Sequence, residues 1–119
     1  FVPFRADPWN LYPAFDIFTL SSRTEACPMT LIEAMACGVP CITTDAGDCG
    51  RLLDGVGHTV PLHDAQALAD AWKVTATLDA PTLHQIGELS RQRVIEQFTI
   101  AGATEHYAGT YARLLKLPQ

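Results

Sequence analysis

Two short apolar runs, Asp16-Ile17-Phe18-Thr19-Leu20 and Val39-Pro40-Cys41-Ile42-Thr43-Thr44, bracket a segment that opens with Pro28 and closes with Gly38. The runs have strand-like lengths and are rich in β-branched and aromatic residues, as suits strands covered on both faces. The segment between them has Pro near a helix start and Gly at a helix end, enough for about three turns. A strand, a helical crossover and a second strand constrain the two strands to run parallel.

The same rhythm continues on either side. Phe1 to Phe4 reads as a short strand, and a helical stretch containing Pro8 follows up to about Ala14. Asp45 to Gly57 is rich in Gly and Asp with a short helix inside it, and His58 to Leu62 reads as a last short strand. From Asp64 onward the pattern is helical: Ala65 to Leu78, Pro81 to Phe98 and Ile100 to Leu117, with Pro81 and Gly102 marking starts or breaks. The expected fold class is α/β, a parallel sheet followed by helices. At 119 residues the chain has the size of one domain, and 48% hydrophobic content excludes disorder. It begins Phe-Val-Pro, as if within a buried strand, and reads as a piece of something larger.

Charge and composition narrow the partners. Eight Lys and Arg against thirteen Asp and Glu give a net charge of -5 without a basic cluster, which argues against nucleic acid. No apolar run has the length of a bilayer span and none resembles a signal peptide, so a cytoplasmic location is expected. Cys27, Cys37, Cys41 and Cys49 form no C-x-x-C pair, and the expected role is that of small reduced side chains rather than metal ligands. His58, His63, His84 and His106 are scattered and suit surface or packing roles. Ser21 and Ser22 lack the G-x-S-x-G elbow of a hydrolase nucleophile. Arg23 suits a local salt bridge and a phosphate contact equally.

The chemistry concentrates between Ser21 and Pro40. Ligands of open α/β sheets sit beyond the carboxyl ends of the strands, where helix N-termini offer unpaired N–H groups to anions. Glu25 falls in the loop after a strand, Glu33 about a turn into the helix, and the N–H groups of Met29 and Thr30 lie between them. Carboxylates accept from sugar hydroxyls while N–H groups hold an anion, a combination that suits a nucleotide sugar. A plainer reading stands beside it: Thr30-Leu31-Ile32-Glu33 has capping-box spacing, so that Glu33 caps the backbone and Glu25 is a solvated loop charge.

The run Ser22-Arg23-Thr24-Glu25-Ala26-Cys27-Pro28-Met29-Thr30-Leu31-Ile32-Glu33-Ala34-Met35-Ala36-Cys37-Gly38-Val39-Pro40 resembles the E-x7-E signature of the group 1 (family 4) retaining glycosyltransferases, including its E-A-M-A-C-G-x-P tail. The strand before it, Thr44-Asp45-Ala46-Gly47-Asp48 after it, and the closing helix with Tyr107 and Tyr111 follow the same family. The resemblance implies a partial Rossmann-like C-terminal domain of a two-domain GT-B enzyme, with residues 1–98 in the nucleotide-sugar-binding part and 99–119 a helix returning to an N-terminal domain. It implies that Glu25 contacts the donor sugar near the reacting carbon, as the catalytic residue of this chain. Ala26, Cys27, Pro28, Met29 and Thr30 would meet sugar and diphosphate, and Glu33 would hold the ribose hydroxyls. Phe4 and Arg5 would form a nucleobase wall.

The family takes a nucleoside-diphosphate sugar as donor and needs no cofactor or divalent metal. The acceptor would be a glycan, a lipid-linked sugar or another acceptor, and any peripheral membrane contact would run through the absent N-terminal domain. Two positions depart from the family: Ala26-Cys27 stands where many members have Gly-Phe, and Gly47-Asp48-Cys49-Gly50-Arg51 replaces the common Gly-Gly and later Glu, as in a subgroup associated with surface-polysaccharide assembly. In the strand order 3-2-1-4-5-6, Phe1 to Phe4 becomes strand 3 and Asp16 to Leu20 strand 4, so one wall of the pocket and the basic diphosphate-binding residues are expected outside this chain. The fragment alone is expected to be inactive. A non-catalytic sugar-nucleotide-binding or scaffold subunit of the same fold is the alternative; an epimerase or phosphorylase fits the motif less well.

Overall fold

Three parallel strands lie side by side in sequence order, β1 (Phe18–Leu20), β2 (Cys41–Thr44) and β3 (His58–Val60). Phe18 pairs with Cys41, and Ile42 with His58, which fixes the register on both sides of β2. The computed structural model describes residues 3–115. The helices are α1 (Met29–Ala36), α2 (Cys49–Leu53), α3 (Ala65–Ala76), α4 (Ala80–Gln97) and α5 (Ile100–Leu115). This is the expected α/β arrangement.

The pleat sends successive β2 side chains to opposite faces. Cys41 joins Leu31, Met35, Leu52, Leu53 and Val94 on the face covered by α1, α2 and α4. Ile42 joins Val60 and Ala71 under α3 on the other face. All four β2 residues are buried, as a central strand requires. All four cysteines are free, and Cys41 and Cys49 are buried core residues. Trp72 of α3 donates its Nε1–H to Thr19 Oγ1 at 2.8 Å, tying α3 to β1.

α1 sits where it does because its C-terminal end is fastened. Gly38 adopts φ 72°, and the end closes with Gly38 N–H to Met35 O at 2.9 Å and Val39 N–H to Ala34 O at 3.1 Å, a Schellman arrangement. α4 crosses there so closely that a methyl on Gly87 would stand 2.0 Å from the Gly38 carbonyl oxygen. Arg91 Nη1 donates to Ala36 O at 2.5 Å. Leu31 and Met35 are fully buried, and burial stabilises by roughly 1.5–3 kcal/mol for each such side chain. The opposite, N-terminal end of α1 is therefore presented at the carboxyl edge of the sheet.

Local differences from the sequence reading have physical causes. The strand expected at Phe1 to Phe4 is not found in Pro3 and Phe4, whereas Phe1 and Val2 lie outside the described residues; Pro3 has no N–H to offer a neighbouring strand. The stretch up to Ala14 forms two 3-10 turns, Pro8–Asn10 and Tyr12–Ala14, because Pro13 interrupts an α-helical ladder. β2 starts at Cys41 rather than Val39, since the Val39 N–H is taken by Ala34 O and Pro40 has none. Pro28 is the residue before the helix rather than its first residue. No helix among the described residues is long and apolar enough to cross a membrane.

Candidate functional site

The loop 21–28 leaves the carboxyl end of β1 and delivers the chain to the start of α1. Its path is set mainly by backbone contacts with the β2–α2 connection. Thr44 Oγ1 donates to Ser22 O at 2.5 Å, and the Asp48 N–H donates to Ala26 O at 2.9 Å. Between them Gly47, at φ 55°, lies so close that a methyl there would stand 2.2 Å from Glu25 O. The loop therefore rests on its neighbour through its own main chain, against one threonine hydroxyl and the backbone of Gly47 and Asp48.

Glu25 is half-buried and accepts from Ser22 Oγ at 2.6 Å. Glu33, also half-buried, accepts at Oε2 from the phenol of Tyr12 at 2.8 Å. Tyr12 is buried, and its ring packs edge-on against Phe15 and Phe18. Burial, and then the bond to Glu33, push the Tyr12 phenol up to about 12. Both carboxylates are thus held by neutral hydroxyls, and neither belongs to an ion pair among the described residues. Each hydroxyl takes one carboxylate oxygen, Oε1 of Glu25 and Oε2 of Glu33.

The capping reading of Glu33 is not what forms. The helix starts at Met29, after Pro28 at φ -72° and ψ 111°, with no side-chain cap. Thr30 is already inside the helix, so it cannot serve as the N-cap of a box, and Glu33 faces Tyr12 instead. By helix geometry the first N–H groups, those of Met29 and Thr30, have no carbonyl partner within α1. Ala26, Cys27, Met29 and Thr30 are exposed beside them, while Pro28 is buried.

The remaining candidates fall elsewhere. Phe4 is 96% exposed, and Arg5 is paired with Asp7 by two bonds of 3.0 and 2.8 Å. Arg23 has no ion-pair partner among the described residues. It lines a cleft of about 330 Å3 with Ser21, Thr44, Leu62, His63 and Leu68, on the α3 side of the loop; neither Glu25 nor Glu33 lines that cleft. Among the described residues no three His, Cys, Asp or Glu side chains gather as a metal site. Sequence reasoning missed Tyr12, Ser22 as the partner of Glu25, and the clamp formed by Thr44, Gly47 and Asp48. Gly47 was visible as part of a Gly- and Asp-rich connection, but nothing in the sequence said which backbone it meets.

The profile of a family described as "Glycosyl transferases group 1" matches residues 1–76, a span that holds Tyr12, Glu25, Glu33 and the clamp. The chain belongs to that family. This group 1 glycosyltransferase chain is 33% identical over 104 residues to N-acetyl-alpha-D-glucosaminyl L-malate synthase of Bacillus anthracis, covering 85% of this chain and 27% of that protein. It is 30% identical over 109 residues to the lipopolysaccharide core biosynthesis mannosyltransferase LpsB of Rhizobium meliloti, covering 88% of this chain and 31% of that one. A solved glycosyltransferase from Rickettsia africae superposes with a TM-score of 0.86 at 27% identity, over 96% of this chain and 31% of that structure. The group 1 chain spans less than a third of the length of each of these three proteins.

Proposed function

We propose that this chain supplies the donor side of an enzyme that moves a sugar from a nucleoside-diphosphate sugar to an acceptor with retention of configuration. The observation that carries the reading is the pair of carboxylates flanking the start of α1, each oriented by a neutral hydroxyl. Glu25 takes the sugar hydroxyls beside the reacting carbon and Glu33 the ribose hydroxyls. The backbone of Ala26 to Thr30 meets sugar and diphosphate at the positive end of the α1 dipole. The helix end supplies about 0.3–1 kcal/mol per charge, up to ~2 when partly buried, too little to hold a diphosphate alone.

Basic groups and a second pocket wall therefore come from segments outside residues 1–119, and the chain alone turns over nothing. Charge neutralisation by those groups and the helix end takes the place of a divalent metal. Phe4 and Arg5 belong to the base end of the donor. The names of relatives, a lipopolysaccharide core mannosyltransferase and an N-acetyl-alpha-D-glucosaminyl L-malate synthase, support a glycan, a lipid-linked sugar or another acceptor, in a cytoplasmic enzyme of surface-polysaccharide assembly. Of the expected helix at 99–119, residues 116–119 lie outside the described residues; α5 packs on an N-terminal domain, since it has no buried residue and Ile100, Tyr107, Tyr111 and Leu114 are 87%, 63%, 60% and 71% exposed.

The test is made in the complete protein. Glu25→Gln abolishes transfer while nucleotide binding persists; Glu33→Ala weakens donor binding about 10- to 100-fold, the loss of a hydrogen bond to a charged group. Donor binding with no transfer by the wild type would favour the non-catalytic alternative, an inverted anomer in the product would reject retention, and turnover by residues 1–119 alone would reject the incomplete-site reading.

A further inference from the structure

A glutamate in the second turn of a helix has three rotatable side-chain bonds and several places to put its carboxylate. Glu33 is half-buried and within reach of water, so solvation alone would leave it mobile. One contact among the described residues fixes it, the Tyr12 hydroxyl at 2.8 Å from Oε2. That hydroxyl is itself held by the sheet. Tyr12 begins a 3-10 turn with Pro13 next in line, is 6% exposed, and packs at 5.8 Å between ring centres against Phe18 of β1 and at 6.1 Å against Phe15.

We propose that Tyr12 is a positioning residue for the nucleotide end of the donor: by donating to Glu33 Oε2 it holds the carboxylate so that Oε1 is the oxygen left for the ribose hydroxyls. The inference rests on the assignment of Glu33 to ribose made above. A phenol suits this task better than Arg or Lys would. It orients the carboxylate without neutralising it, so the charge that strengthens a bond to a ribose hydroxyl is retained. Burial and the Glu33 bond keep the phenol protonated well above neutral pH, so the donor is always present. A buried phenol also needs an acceptor, but a backbone carbonyl or a water would meet that need; a carboxylate exposed enough to reach a ligand is the informative choice.

The experiment measures Kd by calorimetry for UDP, GDP, ADP and CDP and their 2′-deoxy counterparts, on the complete protein and three variants. Wild type is expected to prefer at least one ribonucleotide over its deoxy form by about tenfold, the worth of one hydrogen bond. Tyr12→Phe keeps the ring and removes the hydroxyl; it is expected to bring that ratio most of the way to the ratio of Glu33→Ala, raising KM with kcat nearly unchanged. Val60→Ala thins the core on the opposite face of the sheet, away from Tyr12, and should lower thermal stability while leaving the ratio as in wild type. A wild-type ratio in Tyr12→Phe, with the ratio lost in Glu33→Ala, overturns the positioning role and spares the ribose assignment. A wild-type ratio in Glu33→Ala overturns that assignment and the inference with it, as does binding of none of the nucleotides by the wild type. Equal loss in Val60→Ala and Tyr12→Phe traces the effect to general destabilisation and overturns the positioning role.

Discussion

Replacing Gly47 by Ala is expected to damage transfer far more than it destabilises the fold. Two costs combine. The backbone at Gly47 has φ 55°, a left-handed conformation that costs an L-residue roughly 1–2 kcal/mol. The added methyl would also stand 2.2 Å from Glu25 O and 2.7 Å from Ala26 O, where ordinary contact begins at 3.4 Å. Both obstacles are backbone and cannot swing away. The Glu25 carbonyl must retreat by about 1 Å, and a misplacement of that size costs on the order of 100-fold in rate.

Gly55 provides the control: its φ is 74° and nothing lies within 4 Å of the position a methyl would take. Gly55→Ala therefore carries the conformational cost alone. Thermal melts and steady-state kinetics of the complete enzyme, run on both variants, separate the two effects. The melting temperatures of both fall, while kcat drops about 100-fold only for Gly47→Ala. If Gly47→Ala kept its kcat within about threefold of Gly55→Ala, the idea that this contact sets the position of Glu25 would be wrong.

Three further outcomes are expected. Gly87→Ala gains about 1 kcal/mol of helix propensity, but its methyl would meet Gly38 O at 2.0 Å; the clash with fixed backbone wins and the melting temperature falls, whereas a rise would show that α4 can slide. Cys27 is exposed while Cys41 and Cys49 are buried, and burial pushes the Cys41 thiol up to about 12; alkylation at neutral pH followed by peptide mapping should find Cys27 modified first and Cys41 only after unfolding, and a saturating nucleotide sugar should slow the Cys27 reaction. Because the Tyr12 phenol is raised from 10.0 to about 12, its contribution to stability is complete below pH 10 and is lost as pH climbs through about 12. Denaturation midpoints of wild type and Tyr12→Phe should therefore converge over that window; parallel curves would mean that the phenol is not held as described.

Much of the architecture was legible because it follows from local pattern. The β2 run and the segment from Pro28 to Gly38 became a strand and a helix with ends displaced by two residues at most, since Gly38 and Pro40 act on their own backbone. Glu25 and Glu33 were legible as candidates from a motif of fixed spacing. Their partners were not. The Tyr12–Glu33 bond joins residues 21 apart in sequence and the Thr44–Ser22 bond residues 22 apart, and no periodicity encodes which loop meets which. The mistaken strand at Pro3 and Phe4 has the opposite cause: apolar composition suggested pairing, yet a strand exists only where a neighbour offers its hydrogen bonds.

The clamp on the 21–28 loop acts on carbonyl oxygens, those of Ser22, Glu25 and Ala26, and asks nothing of the side chains at Ala26 and Cys27, which are exposed. Evolution can therefore exchange those two residues without moving the loop. On the proposed donor reading, a departure from Gly-Phe at this place would reshape the surface that a sugar touches while the clamp still holds the loop's carbonyls. If Ala26 and Cys27 meet the sugar as proposed, selectivity and architecture are free to diverge at different rates: drift at positions 26 and 27 would change what is accepted, whereas the constraint on the loop is carried by a glycine and a threonine some twenty residues further along the chain.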